Sequence, residues 1–134
     1  MSVILQKGLQ NLTGSTITEV QKDSEPDRIR ILFSNGASLA ATYWRGIKNG
    51  RAFLSNFDDQ QEYGLPAPIN ALNALKSEVA GLKVVRCSLT QETGDLDFEL
   101  SKDLKLQIFN FTGYEVWEIS FPDGTGEYSN YALG

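Results

Sequence analysis

A chain of 134 residues with a net charge of −5 and a pI near 4.7 suits one domain. It is a poor candidate for tracking nucleic-acid phosphates, which takes clustered Lys and Arg to release counterions. The absence of histidine removes the commonest general base, the Ser-His-Asp and Cys-His arrangements, and the zinc sites built on imidazole.

The N-terminal MSVILQKGLQ carries no leader pattern, and no apolar run approaches the roughly 18 residues that span a bilayer. A cytoplasmic location without membrane contact is therefore expected. Val3, Ile4, Leu5, Leu9 and Leu12 recur at helical spacing and stop before Gly14, which predicts a short helix. Ser15 to Lys22 is rich in β-branched residues and reads as a strand, followed by a polar turn at Asp23–Asp27. In RIRILFSNGASLAATYW a loop of Ser34, Asn35 and Gly36 sets Phe33 against Ala37, Ile31 against Leu39 and Ile29 against Ala41, with Gly36 left-handed.

Asn49-Gly50 predicts a second hairpin turn, leading into RAFLSNF and then a long polar loop, DDQQEYGLPAP. Ile69, Leu72, Leu75 and Val79, with Pro68 ahead and Gly81 beyond, give the most secure helix. LKVVRCSLTQETG supplies the next strand and turn. Cys87, with Val84 and Val85 nearby, reads as a small core residue, and a lone cysteine excludes an internal disulfide.

The stretch from Asp95 to Gly124 reads as a meander around which the rest is organised. A loop of Ser101, Lys102 and Asp103 places Leu100 opposite Leu104, Phe98 opposite Leu106, Leu96 opposite Ile108 and Glu99 opposite Lys105. A turn at Thr112-Gly113 would then set Ile108 against Trp117, Leu106 against Ile119 and Leu104 against Phe121, keeping every apolar side chain on one face. The same register pairs Phe109 with Val116 and Phe111 with Tyr114 on the other face. A Pro122-Asp123-Gly124 turn leads to GEYSNYAL, a candidate edge strand.

The two parts of the chain look alike at an ungapped offset of about 67 residues. Gly14 falls on Gly81, Ile17 on Val84, Ile31 on Phe98, Phe33 on Leu100 and Gly46 on Gly113. The expected fold class is α+β and mostly antiparallel β, one domain over residues 1–134. Two similar helix-plus-strand halves, 1–67 and 68–134, pack around one core, as an internal duplication would.

Few residues suggest chemistry. Asp95, Asp97 and Glu99 share a strand face and could in principle hold a hard cation, but Lys105 opposite Glu99 makes a solvated, cross-paired strand face the better reading. No cofactor, metal or catalytic residue is expected, and the glycines lie singly at turns instead of in a phosphate cradle. Asp58, Asp59, Glu62 and Tyr63 lie in a loop, where binding residues concentrate. Phe109, Phe111 and Tyr114 form an apolar patch on the outer side of the meander, and such patches mark contact surfaces. These seven residues are the candidate partner-binding site.

The segment GYEVWEISFPDG, with Tyr114, Glu115, Trp117, Ile119 and Pro122 to Gly124, together with the preceding LDFELSKDLKLQIF, resembles the C-terminal hairpin of small bacterial immunity proteins. These belong to polymorphic toxin and contact-dependent growth-inhibition systems. The resemblance implies a non-enzymatic inhibitor, monomer or homodimer, that binds a cognate protein toxin inside the producing cell, often a nuclease. An acidic chain suits a basic nuclease through complementary potentials, without touching nucleic acid itself. The alternative is a small-ligand-binding domain, or an enzyme using carboxylates alone, with a pocket between the two halves.

Overall fold

The computed structural model describes residues 3–112 and 115–129. Helix α1 (Val3–Leu12) precedes strands β1 (Ile17–Lys22), β2 (Ile29–Phe33), β3 (Ser38–Ala41), β4 (Trp44–Lys48) and β5 (Arg51–Ser55) and a 3₁₀ turn (Asn56–Asp58). Helix α2 (Ala71–Val79) then precedes β6 (Val84–Thr90), β7 (Asp95–Leu100), β8 (Leu104–Ile108), β9 (Trp117–Ser120) and β10 (Gly126–Tyr128). The fold is α+β with a preponderance of antiparallel strand. Among the described residues no helix is long and apolar enough to cross a membrane.

Three expected hairpins form as read. Ile31 faces Leu39 and Ile29 faces Ala41 across β2 and β3, while Gly36 has φ +94°. Leu100 faces Leu104, Phe98 faces Leu106 and Glu99 faces Lys105 across β7 and β8. Asn49 and Gly50 form the β4–β5 turn with φ of 52° and 78°, the conformation an Asn-Gly hairpin requires.

The third strand of the meander pairs elsewhere. The strands form two sheets, ordered β1-β2-β3-β9-β10 and β5-β4-β8-β7-β6. Ile108 has Trp44 and Leu96 as neighbours, and Trp117 lies opposite Ala41, Ile119 opposite Leu39. The Thr112-Gly113 hairpin, with Ile108 against Trp117 and Phe109 against Val116, is thus incorrect. Alternation sets which face of β9 is apolar, and that face fits β3 as well as it fits β8; alternation does not choose the neighbour. Every residue assigned to the meander's inner face is nevertheless buried, from Leu96 through Phe121.

Each sheet therefore joins three consecutive strands to a hairpin from a distant part of the chain. The contacts come in matched pairs. Gly14 N–H donates to Val84 O and Gly81 N–H to Ile17 O; Ile17 N–H donates to Leu82 O and Val84 N–H to Ser15 O. Thr16 and Lys83 form an isolated bridge, and their amides donate to the Ser34 and Ser101 hydroxyls respectively. A bulge after Ile17 in β1 has its counterpart after Val84 in β6. Helix α1 packs on β6 and β10, helix α2 on β1 and β5, and a single apolar cluster fills the space between. The ungapped comparison fails after Ile108: by register Gly46, opposite Leu106, corresponds to Ile119, opposite Leu39, and not to Gly113.

Candidate functional site

Two crossovers carry the chain from one sheet to the other: Thr42-Tyr43 between β3 and β4, and residues 109–116 between β8 and β9. They are stitched together, Phe109 N–H donating to Tyr43 O at 2.9 Å and Thr42 N–H to Val116 O at 3.1 Å. At this seam the aromatic side chains gather. The Phe57 and Tyr43 ring centres are 6.0 Å apart, Tyr43 and Phe111 5.0 Å, and Phe111 stacks on Phe109 at 5.3 Å with the rings 2° from parallel. The Arg45 guanidinium lies 5.0 Å from the centre of the Phe109 ring while its Nε donates to Gln107 Oε1. Such a contact contributes about 0.5 to 1 kcal/mol at an exposed site.

The two groups of expected contact residues are thus bridged by Tyr43, which sequence reasoning passed over, as it did Phe57 and Arg45. The signal available was the pairing of β4 with β8; once β9 was assigned to that edge, Tyr43 had no route to Phe111. Phe57 is 64% exposed, Phe111 59% and Tyr63 68%, whereas Phe109 is half-buried. Tyr114 lies outside the described residues.

The acidic members of the loop have internal work. Asp58 closes a capping box on the 3₁₀ turn, accepting from Ser55 N–H at 2.8 Å, and its other oxygen accepts from the Tyr63 hydroxyl at 3.0 Å. That hydrogen bond to Asp58 holds the Tyr63 phenol above its ordinary pKa. Asp59 accepts from Ala71 N–H at 2.9 Å, satisfying a donor at the start of α2, while Asn70 caps the same helix through Asn73 N–H. Glu62 is exposed, and its carbonyl accepts from Leu65 N–H in a local turn. Of the loop carboxylates, Glu62 is the one whose side chain this network leaves to solvent.

Beside the seam runs a groove of about 750 Å³. The β1–β2 turn from Lys22 to Ile29 forms one wall, Tyr43, Trp44, Asn56 and Phe57 another, and Asn70, Ala71 and Leu72 at the start of α2 a third. The first wall is held by Asp23, whose carboxylate accepts from Arg30 Nε at 2.9 Å and Glu25 N–H at 3.3 Å. Burial pushes the Asp23 carboxyl up, but the hydrogen bonds from Arg30 and the backbone outweigh it and leave its pKa below the ordinary value. Arg28 reaches the longer crossover, donating to Glu115 O at 3.0 Å.

The remaining candidates are structural. Glu99 pairs with Arg86 at 2.9 Å and Asp95 accepts from Asn110 N–H, and among the described residues no three ligating groups converge as a metal site. Cys87 donates to Leu9 O, and burial pushes its thiol up to about 12, far from a thiolate nucleophile. Comparison with protein-family models, with curated proteins and with solved structures finds no match.

Proposed function

We propose that this chain is an immunity protein: a non-catalytic inhibitor that binds and neutralises a cognate bacterial toxin domain, a basic nuclease being the partner its charge suits. The observation that supports this best is the aromatic cluster along the crossover seam, exposed Phe57 and Phe111 with half-buried Tyr43 and Phe109, and exposed Tyr63 on the adjoining loop. Aromatic anchors with a charged rim are the usual anatomy of a protein contact. We read the protein as cytoplasmic, monomeric or homodimeric, and built as two similar helix-plus-strand units sharing one core.

The test is binding to the product of the adjacent gene, followed by growth protection. Phe111→Ala and Phe57→Ala are each expected to weaken binding by about tenfold or more, mainly through faster dissociation. Glu62→Lys should slow association and flatten its salt dependence. Asp58 and Asp59 are unsuitable for charge reversal, because both hold the loop and α2 in place. No binding, or protection that depends on turnover of a small molecule, overturns the reading. The groove favours a second reading, a small-ligand-binding domain, which saturable binding of a metabolite without any toxin contact would support.

A further inference from the structure

The chain carries the dipeptide Asn-Gly twice, at Asn35-Gly36 and at Asn49-Gly50, and each lies in the turn of a hairpin. In residue order the two are chemically alike. Asparagine is a labile residue, most so before glycine, whose nitrogen has no side chain to shield it as it attacks the asparagine carboxamide carbon. What the fold does with each pair decides whether that reaction runs.

The first pair is held at every reacting atom. Asn35 Oδ1 accepts from Ala37 N–H at 2.9 Å, Asn35 Nδ2 donates to Asn11 O at 3.3 Å, and Gly36 N–H donates to Phe33 O at 3.0 Å. Asn35 is half-buried, and its loop joins two strands that each have a further neighbour, β1 beside β2 and β9 beside β3. Closing a ring between Asn35 and Gly36 would break all three hydrogen bonds.

The second pair is free at the same atoms. Asn49 and Gly50 are exposed, and among the described residues neither the Asn49 carboxamide nor the Gly50 N–H has a hydrogen-bond partner. A Cβ built on Gly50 would meet nothing within 4 Å beyond its chain neighbours. The Asn49 backbone N–H does donate to Asp103 O at 3.0 Å, but that nitrogen is outside the ring that would close. The turn leads into β5, an edge strand paired on one side only. A hairpin tip at a sheet edge opens at far less cost than the sheet interior. It can therefore leave its left-handed geometry, φ 52° and 78°, long enough for the Asn49 side chain to meet the Gly50 nitrogen.

We infer that Asn49 is a modification site, converted without an enzyme to isoaspartate and aspartate, and that Asn35 is protected. The Gly50 nitrogen loses its proton to water and bonds to Asn49 Cγ; the Cγ–Nδ2 bond breaks, and the departing nitrogen takes a proton from water and leaves as ammonia. The product is a cyclic imide. Water then adds to one of its two carbonyls and the ring C–N bond at that carbon breaks. Opening at the main-chain carbonyl leaves isoaspartate, and opening at Cγ leaves aspartate. Either product puts a carboxylate beside Lys48, whose ammonium pairs with Glu78 at 3.0 Å. The tip lies at the opposite end of β4 from Trp44 and the crossover seam, so this site and the partner contact proposed above stand or fall separately.

The test is incubation of the folded full chain in mildly alkaline buffer, followed by chymotryptic digestion and mass spectrometry. Cleavage after aromatic residues places Asn49 in peptide 45–53 and Asn35 in peptide 34–43. Peptide 45–53 is expected to exchange NH for O, with isoaspartate in excess over aspartate. Peptide 34–43 should change on the order of a hundredfold more slowly, the factor that three ordinary hydrogen bonds supply. In urea the two peptides should convert at similar rates, because the protection goes with the fold. No conversion at Asn49 in the folded chain, conversion of both sites at like rates, aspartate without isoaspartate, or a difference that persists in urea would each overturn the inference.

Discussion

The crossover of two residues and the crossover of eight do the same structural task and leave different surfaces behind. Both exchange a hydrogen bond at the seam, Thr42 with Val116 and Phe109 with Tyr43, and both deliver a tryptophan to the opposite sheet. The long one has length left over to pin a neighbouring turn and to set out Phe109 and Phe111. The short one leaves its tryptophan beside an open groove. Unequal connections between two antiparallel sheets leave unequal surfaces, and binding residues concentrate on connections while the packed strands hold them.

The largest expected effect tests the sameness. Truncating either tryptophan to Ala should cost about 3 to 5 kcal/mol, since both are buried to 2% or less. The difference appears on replacement by Phe, which keeps most of the ring. Trp117→Phe strands the buried Gly94 carbonyl and should cost about 1 kcal/mol more than Trp44→Phe, where no protein hydrogen bond is lost. Urea denaturation of the four variants measures it. Equal losses for the two Phe variants would mean that the Trp117–Gly94 hydrogen bond adds nothing measurable to stability.

Much of this arrangement was legible in residue order, and the limit has a physical origin. Strand faces, the Ser34–Gly36 and Ser101–Asp103 loops and both helices follow from local spacing, because side-chain periodicity and turn chemistry act over a few residues. The choice between β8 and β3 as neighbour of β9 does not, because both offer an apolar, antiparallel edge and the decision is made by the whole core. That one misplacement hid the seam. Phe109, Phe111 and the Asp58–Tyr63 loop were identified separately, but Tyr43, which unites them, is visible only once β4 lies beside β8. The loop carboxylates were legible as exposed charge, and their use as caps for the 3₁₀ turn and α2 was not, since Asp59 reaches a helix that starts beyond an intervening loop.

A second, smaller effect separates the two turns that follow β1 and β6. Asp23 is buried, with its side chain 3% exposed, and is bound by Arg30, whereas Thr90 occupies the corresponding place in the other turn. The Asp23 pKa is lowered in the folded state, so its stabilising contribution is present above the unfolded carboxyl value and is lost as pH falls through the lowered one. Asp23→Asn should cost about 1 to 3 kcal/mol at neutral pH, the usual penalty for weakening a buried charged hydrogen bond. The cost should shrink in acid, as the parent loses the same charge. Denaturation at neutral and acid pH shows this; a cost that does not change with pH would assign the effect to packing in the turn and not to the Asp23–Arg30 pair.

The smallest effect compares the loops that close the two matched hairpins. Gly36 and Asp103 hold the same place, last in the loop before β3 and before β8, with φ of +94° and +55°. A side chain at positive φ is strained, although Asp tolerates the region better than most. Gly36→Ala should therefore destabilise by about 1 kcal/mol, and it does so through backbone strain, because an added Cβ meets nothing closer than Pro122 at 3.6 Å. Asp103→Gly should be neutral or gain a few tenths of a kcal/mol, relief of the positive φ being set against the greater freedom of glycine in the unfolded chain. Thermal unfolding of the pair decides between two accounts of the loops. Opposite signs at the two positions would show that the last residue of each loop demands the left-handed region, although the second loop alone has another left-handed residue before it, Lys102 at φ 62°. A clear loss on Asp103→Gly would show instead that its carboxylate, and not its conformation, is what the second hairpin depends on.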